Sequence, residues 1–474
     1  MTEQLTGMDA AFLALESPEM PMHVVGVLLL DPAAGAGYSA DRLRGVIRDR
    51  LHRMPPFLRR PVEAPLQLDR PYWHYETDID LDLHVLTDSV DAAGDLAALG
   101  RLVGEITERR LPRDRPLWEL RIVDGLADGR VALIAKVHHS TLYGAAGAEF
   151  IAELLDLSAD APDVAPAEPV DRAASPGRSG LLRRTALAQA RLPLRVGKLV
   201  VDGGRNAVGT ARSLGGVVRR HGREALPMLA PRTVISGALT PHRQAAFTAL
   251  SLDDAKRVKD AAGVKLNDVV LAVVAIAVRR YLVARDALPD RAIVAGVPVN
   301  AGEGETEGTN TLATMLVPLP VQPMDPAELL REVHEGSLAA KDFTAALGAG
   351  AIAELAGITP PAALSMTSWL MRNLGLSTLQ PALTNLVVSN VMGPPIPLFL
   401  AGARVDAIYP LGPLLQGAGM NLTVLSNLDR LDVGVMACPD LVDDVWELVD
   451  SLPDCLAELA AIDVATEAGH HRRR

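Results

Sequence analysis

The stretch Val131-Ala132-Leu133-Ile134-Ala135-Lys136-Val137-His138-His139-Ser140-Thr141-Leu142-Tyr143-Gly144 decides how this chain is read. Val131 to Val137 has the length and apolar character of a buried strand. The adjacent histidines His138 and His139 close it. Successive side chains of a strand point to opposite faces, so the two imidazoles are not expected to address one ligand, which argues against a metal site. One ring is instead expected to face a cavity while the other is fixed inside the fold. The small residues Gly144, Ala145, Ala146 and Gly147 follow and allow close approach beside the pair. With an ordinary pKa of ~6.5, a histidine beside such an opening suits general-base work near neutral pH. The alternative is a core histidine satisfied by hydrogen bonds.

Working outward, Val24 to Leu30 reads as a second buried strand, and Gly144 to Leu157 as a helix with apolar spacing. Residues 1–157 are therefore expected to form a first, mixed α/β domain. Ser158 to Ser175 is rich in Ala, Pro and Asp and reads as a linker. Residues 178–224 carry a net charge of +9, with interleaved Leu and Val. Two readings stand for this segment: a solvated connector, interrupted at Pro193, or an interfacial helix attracted to anionic lipid or to acyl-CoA phosphates. Residues 158–232 thus connect to a second α/β unit, 233–474. Its expected strands are Ile293 to Val299, Thr314 to Val321 and Leu386 to Val391, and its buried helix is Leu266 to Ala284, opened by Asn267 and Asp268.

Composition removes several classes of function. A net charge of -12 and an aromatic content of 3% leave neither a basic footprint nor stacking platforms for nucleic acid. Cys438 and Cys455 cannot staple a chain of 474 residues and offer no C-x-x-C spacing for zinc. The acidic loop Gly302 to Gly308 lacks the Lys-Ser/Thr of a phosphate-binding loop. The start of the chain has neither a basic nor an apolar leader region, and no apolar stretch approaches the ~20 residues of a membrane span. A cytoplasmic protein is expected, with any contact at the inner membrane or lipid bodies peripheral.

The motifs along the chain resemble those of the bacterial wax ester synthase/acyl-CoA:diacylglycerol acyltransferase family, of the actinobacterial triacylglycerol synthase type. The resemblance rests on Met8-Asp9-Ala10-Ala11-Phe12-Leu13, Pro21-Met22-His23-Val24, Pro116-Leu117-Trp118-Glu119, the His138-His139 pair, Asn267-Asp268-Val269, and Leu411-Gly412-Pro413 through Asn421. Each is weak alone; their order and spacing are specific. The resemblance implies an α/β fold of two chloramphenicol-acetyltransferase-like, condensation-domain-like domains forming an interdomain tunnel. It also implies acyl-CoA as co-substrate, no other cofactor, and diacylglycerol or a long-chain alcohol as acceptor. His139 would be the general base and His138 a supporting residue, with Asn267 and Asp268 shaping the site from the second domain.

The chain departs from the family pattern at two places. Tyr143 stands where the His-His-x-x-x-Asp-Gly motif has Asp, ahead of Gly144, and Pro298-Val299-Asn300-Ala301-Gly302 lacks the family's Arg. Joint loss of an acid and a base fits a replaced structural ion pair. It also fits a non-catalytic acyl-binding or lipid-body paralogue.

Overall fold

The computed structural model describes residues 3–141, 153–161, 177–222, 229–300, 312–347, 357–374 and 382–471. The first half runs α1 (Gly7–Leu15), β1 (His23–Asp31), α2 (Ala40–Arg50), β2 (Arg59–Val62), β3 (Tyr72–Tyr75), β4 (Val85–Gly94), α3 (Leu96–Glu108), β5 (Trp118–Leu126) and β6 (Val131–His138). Next come α4 (Arg178–His221), β7 (Gln244–Ser251), α5 (Leu252–Ala262), α6 (Leu266–Ala284), β8 (Ile293–Asn300) and β9 (Leu312–Leu319). The remainder is α7 (Pro326–Leu347), α8 (Pro361–Asn373), β10 (Leu386–Val391), β11 (Phe399–Leu400), β12 (Ala403–Leu411), β13 (Met420–Asn427), β14 (Arg430–Ala437) and α9 (Val445–His471).

Two six-stranded mixed sheets organise these elements, in the orders β11-β12-β1-β6-β5-β4 and β7-β14-β13-β10-β8-β9. The first sheet is completed by residues 399–411, far beyond the linker in sequence. β12 pairs antiparallel with β1, from Val25 opposite Leu411 to Asp31 opposite Arg404. A side chain of the second sheet pins this graft. Asp432 on β14 is fully buried and accepts from the backbone N–H of Ile408 on β12 at 2.8 Å. It also accepts from Asn427 at 2.8 Å and Arg430 at 2.6 Å.

The histidine strand β6 is buried along its whole length. Leu133, Ala135 and Val137 pack into a core with Leu43 and Ile47 of α2. Ala132 and Ile134, pointing the other way, share a core with Leu99 and Val103 of α3 and with Phe247 of β7. Strand alternation thus ties β6 both to its own half and to the second. Glycine allows that junction to close: a Cβ on Gly100 would lie 2.2 Å from the Ala245 carbonyl oxygen, and one on Gly104 2.2 Å from that of Arg243.

In the second half, α6 is apolar on nearly every face because it is covered by β strands and by α5, α7 and α9. Its N-terminus is held by Asp268, whose carboxylate accepts from the backbone N–H of Lys265 at 3.0 Å. Of the two readings of the basic segment the helical conformation matches, with Pro193 inside rather than interrupting it: α4 is a single helix. Pro193 is exposed there, so water can satisfy the carbonyl that the proline ring leaves unbonded. Most of the expected helix from Gly144, the linker core 162–176 and the loop 301–311 lie outside the described residues.

Candidate active site

β6 delivers the two histidines to a point where four separated segments meet. The backbone N–H of His138 donates to the Leu117 carbonyl at 3.0 Å, and that of His139 to the Met22 carbonyl at 2.7 Å. The Thr141 N–H returns to the His138 carbonyl at 2.9 Å, which turns the chain out of the strand. Phe12 packs on the His139 ring at 4.2 Å between centroids. Phe12 is positioned by α1, whose start is a capping arrangement: the Asp9 N–H donates to Thr6 Oγ1 at 3.1 Å, and Thr6 Oγ1 donates to Asp9 Oδ2 at 2.6 Å. Each quoted segment before the pair therefore touches the pair or fixes a residue that does.

The two rings occupy different surroundings. His138 is 1% exposed, and its Nδ1 accepts from the Ser140 backbone N–H at 3.1 Å, with Ser140 Oγ at 2.7 Å. His139 keeps partial exposure. Its Nδ1 is buried without an outside partner among the described residues, and the backbone group acting on the ring is its own. Burial pulls the His139 pKa down to about 4, and His138 is pushed well below the ordinary histidine value by burial and then by the nearby Arg113 and His139. Both rings are neutral at pH 7.

Trp118 is a core anchor. It is 2% exposed, donates Nε1–H to the Phe57 carbonyl at 2.8 Å and stacks on His84 at 4.2 Å. Asp268 is engaged locally: besides capping α6 it meets His334 Nδ1 of α7 at 2.7 Å, and no contact with the His138–His139 pair occurs among the described residues. Asn267 is half-buried at the same helix start. Tyr143 and Gly144 lie outside the described residues.

Three residues escaped sequence reasoning. Lys136, two residues before the strand end, is 1% exposed and donates to the carbonyls of Ile106, at 2.8 Å, and Arg109, closing the C-terminus of α3. Burial pulls its pKa to about 8, against the opposing charge of Glu119. Glu16, just past α1, has a buried side chain, 2% exposed, that takes a hydrogen bond from Arg113 at 2.8 Å. Ser140 orients His138. A charge inside an apolar run was the one signal that could have flagged Lys136. Beside Glu16 an open cleft of about 780 Å³ is lined by Leu13, Arg110, Arg113, Met366 and Trp369 among others.

Two strand-linked α/β sheets define a fold shared with condensation domains and with the wax ester synthase. The chain belongs to the wax ester synthase/diacylglycerol acyltransferase family: residues 5–270 match its catalytic domain and residues 308–460 its C-terminal domain. It is 35% identical to a Mycobacterium tuberculosis protein provisionally named diacylglycerol O-acyltransferase Rv1760, over 99% of this chain and 93% of that one. The solved wax ester synthase/diacylglycerol acyltransferase from Marinobacter aquaeolei VT8 superposes with a TM-score of 0.68 at 25% identity, covering 97% of this chain and 99% of that one. The first condensation domain of the calcium-dependent antibiotic synthetase shares the fold, with a TM-score of 0.56 at 19% identity over 97% of both chains.

Proposed function

We propose that this protein transfers a long-chain acyl group from acyl-CoA to diacylglycerol, giving triacylglycerol and CoA, with His139 as general base. The observation that carries the reading is the convergence of the Met22, Leu117 and Phe12 segments on a neutral, partly open His139. His139 Nε2 takes the proton of the acceptor hydroxyl as its oxygen attacks the thioester carbonyl carbon. The carbon–sulfur bond breaks, and the imidazolium returns the proton to the departing CoA sulfur. No cofactor beyond the co-substrate enters this sequence. His138 holds the loop through Ser140, and Asn267 and Asp268 are assigned positional roles at the start of α6.

The test is acyl transfer by purified protein from labelled acyl-CoA, with diacylglycerol and a long-chain alcohol as competing acceptors, alongside Tyr143→Asp. Triacylglycerol as main product supports the reading. Wax ester as main product assigns the acceptor to the alcohol, and product formed only by Tyr143→Asp assigns the wild type a non-catalytic role. The pH profile adds a second check. His139 acts when neutral, so kcat/KM should hold from about pH 7 down to pH 5 and fall with a midpoint near 4, not 6.5. Because the folded state keeps this ring neutral, its stabilising contribution is fully present above ~6.5 and is lost as the pH falls through about 4, so the Tm should drop across that window. A midpoint at 6.5 would contradict the buried ring.

We assign α4 to a peripheral contact with anionic lipid at the inner membrane or a lipid body. Among the described residues no single helix is long and apolar enough to cross a membrane. α4, however, exposes Leu182, Leu187, Leu194 and Val201 among Arg183, Arg191, Arg195 and Lys198. Co-sedimentation should favour anionic over neutral vesicles, and the preference should weaken with salt. Equal, salt-insensitive binding to both would remove the electrostatic contact.

A further inference from the structure

Glu16, His23 and His138 form an interior cluster to which the acyl-transfer step gives no direct task. Glu16 follows α1, His23 opens β1, and His138 ends β6 directly opposite His23 in the ladder. Glu16 Oε1 lies 3.7 Å from His23 Nε2 and 3.7 Å from His138 Nε2, and all three side chains are at most 2% exposed. None of these three atoms has a hydrogen-bond partner among the described residues. The separation is too long for a direct hydrogen bond and fits a bridging molecule.

The other nitrogen of each ring fixes what that bridge must be. His138 Nδ1 accepts from the Ser140 N–H, so the neutral ring carries its proton on Nε2. His23 Nδ1 faces the Thr107 carbonyl oxygen at 3.4 Å, an acceptor only, so His23 carries its proton on Nδ1 and leaves a lone pair on Nε2. Glu16 Oε1 accepts, while Oε2 is taken by Arg113. One donor and two acceptors converge, which is the complement of a water molecule that accepts once and donates twice. A divalent metal would need lone pairs on both Nε2 atoms, and the Ser140 N–H denies one of them. The cations facing the rings, Arg113 at His138 and Lys136 and Arg243 at His23, favour the neutral forms.

We propose that Glu16, His23 and His138 bind one oriented water, and that Glu16 is a positioning residue acting through it on His138, Ser140 and the backbone of His139. The kinetic half of this inference rests on His139 being the base; the water site does not. Nitrogen NMR of the full chain labelled in histidine should show His138 protonated on Nε2 and His23 on Nδ1, both neutral at pH 7. A shared tautomer, an imidazolium at either position, or a stoichiometric divalent metal on elemental analysis would overturn the water site. Glu16→Leu should lower kcat about 10- to 100-fold with little change in the KM for acyl-CoA, because it misplaces a group without removing it. Glu16→Gln, which keeps an acceptor oxygen, should recover most of the loss. Full kcat in Glu16→Leu, or equal losses in both variants, would overturn the positioning role. Wild-type protein that transfers no acyl group would instead reject the parent reading, with the tautomer pattern still legible.

Discussion

His139→Ala is expected to lower kcat for acyl transfer by about 100- to 10,000-fold, the span over which positioned general bases act, while the KM for acyl-CoA stays within about twofold. The ring is held neutral by burial, with its pKa at about 4, so it is competent to accept a proton across the physiological range. With Nδ1 enclosed, Nε2 is the nitrogen we assign to the acceptor hydroxyl. The structural part of the residue is its backbone, whose N–H binds the Met22 carbonyl, and alanine keeps that bond. The variant should therefore fold with an unchanged far-UV spectrum and a Tm within a few degrees of wild type. His138→Ala differs in kind: it strips the Ser140 N–H of its acceptor in a fully buried position, so both kcat and Tm should fall. Acyl transfer that survives His139→Ala at wild-type rate would move the base elsewhere.

Asp432→Ala should destabilise the protein by roughly 2–4 kcal/mol, since a buried donor left without its acceptor costs about 1–3 kcal/mol. The fully buried carboxylate binds the Ile408 N–H, the Asn427 amide and the Arg430 guanidinium at once; without it the first two are left unsatisfied in the interior, while the Arg430 side chain, 39% exposed, can turn to water. Ile408 sits on β12, the strand that the C-terminal half contributes to the first sheet, so loosening it also loosens β1, which carries Met22 and His23 to the site. Chemical denaturation should show a lower midpoint, and Asp432→Asn, which retains one acceptor oxygen, should recover part of the loss. A midpoint unchanged within error would mean that the β12 graft does not depend on this carboxylate.

Much of the secondary structure was legible because apolar periodicity is a local property. Val131 to Val137, Ile293 to Val299, Leu386 to Val391 and the helix Leu266 to Ala284 all fall within an element of the fold at nearly the expected bounds. α4 was misjudged at Pro193, since the cost of an interior proline depends on whether solvent reaches the freed carbonyl. Trp118 was legible only as part of a motif, since its hydrogen bond to the Phe57 carbonyl joins segments about 60 residues apart. Lys136 was not read as buried, because its partners are carbonyls at the end of α3, some 27 to 30 residues away.

By itself, the sequence determined the α/β class and the family through the order of its motifs, and it singled out the histidine pair as the candidate site. Tertiary structure alone decided that β12 crosses into the first sheet, that His138 meets Glu16 and His23, and that His139 is neutral behind Phe12. The physical reason is range. Strand and helix patterns follow from neighbours a few residues apart, whereas desolvation, tautomer and charge balance are set by groups that only the packed chain brings within a few ångströms.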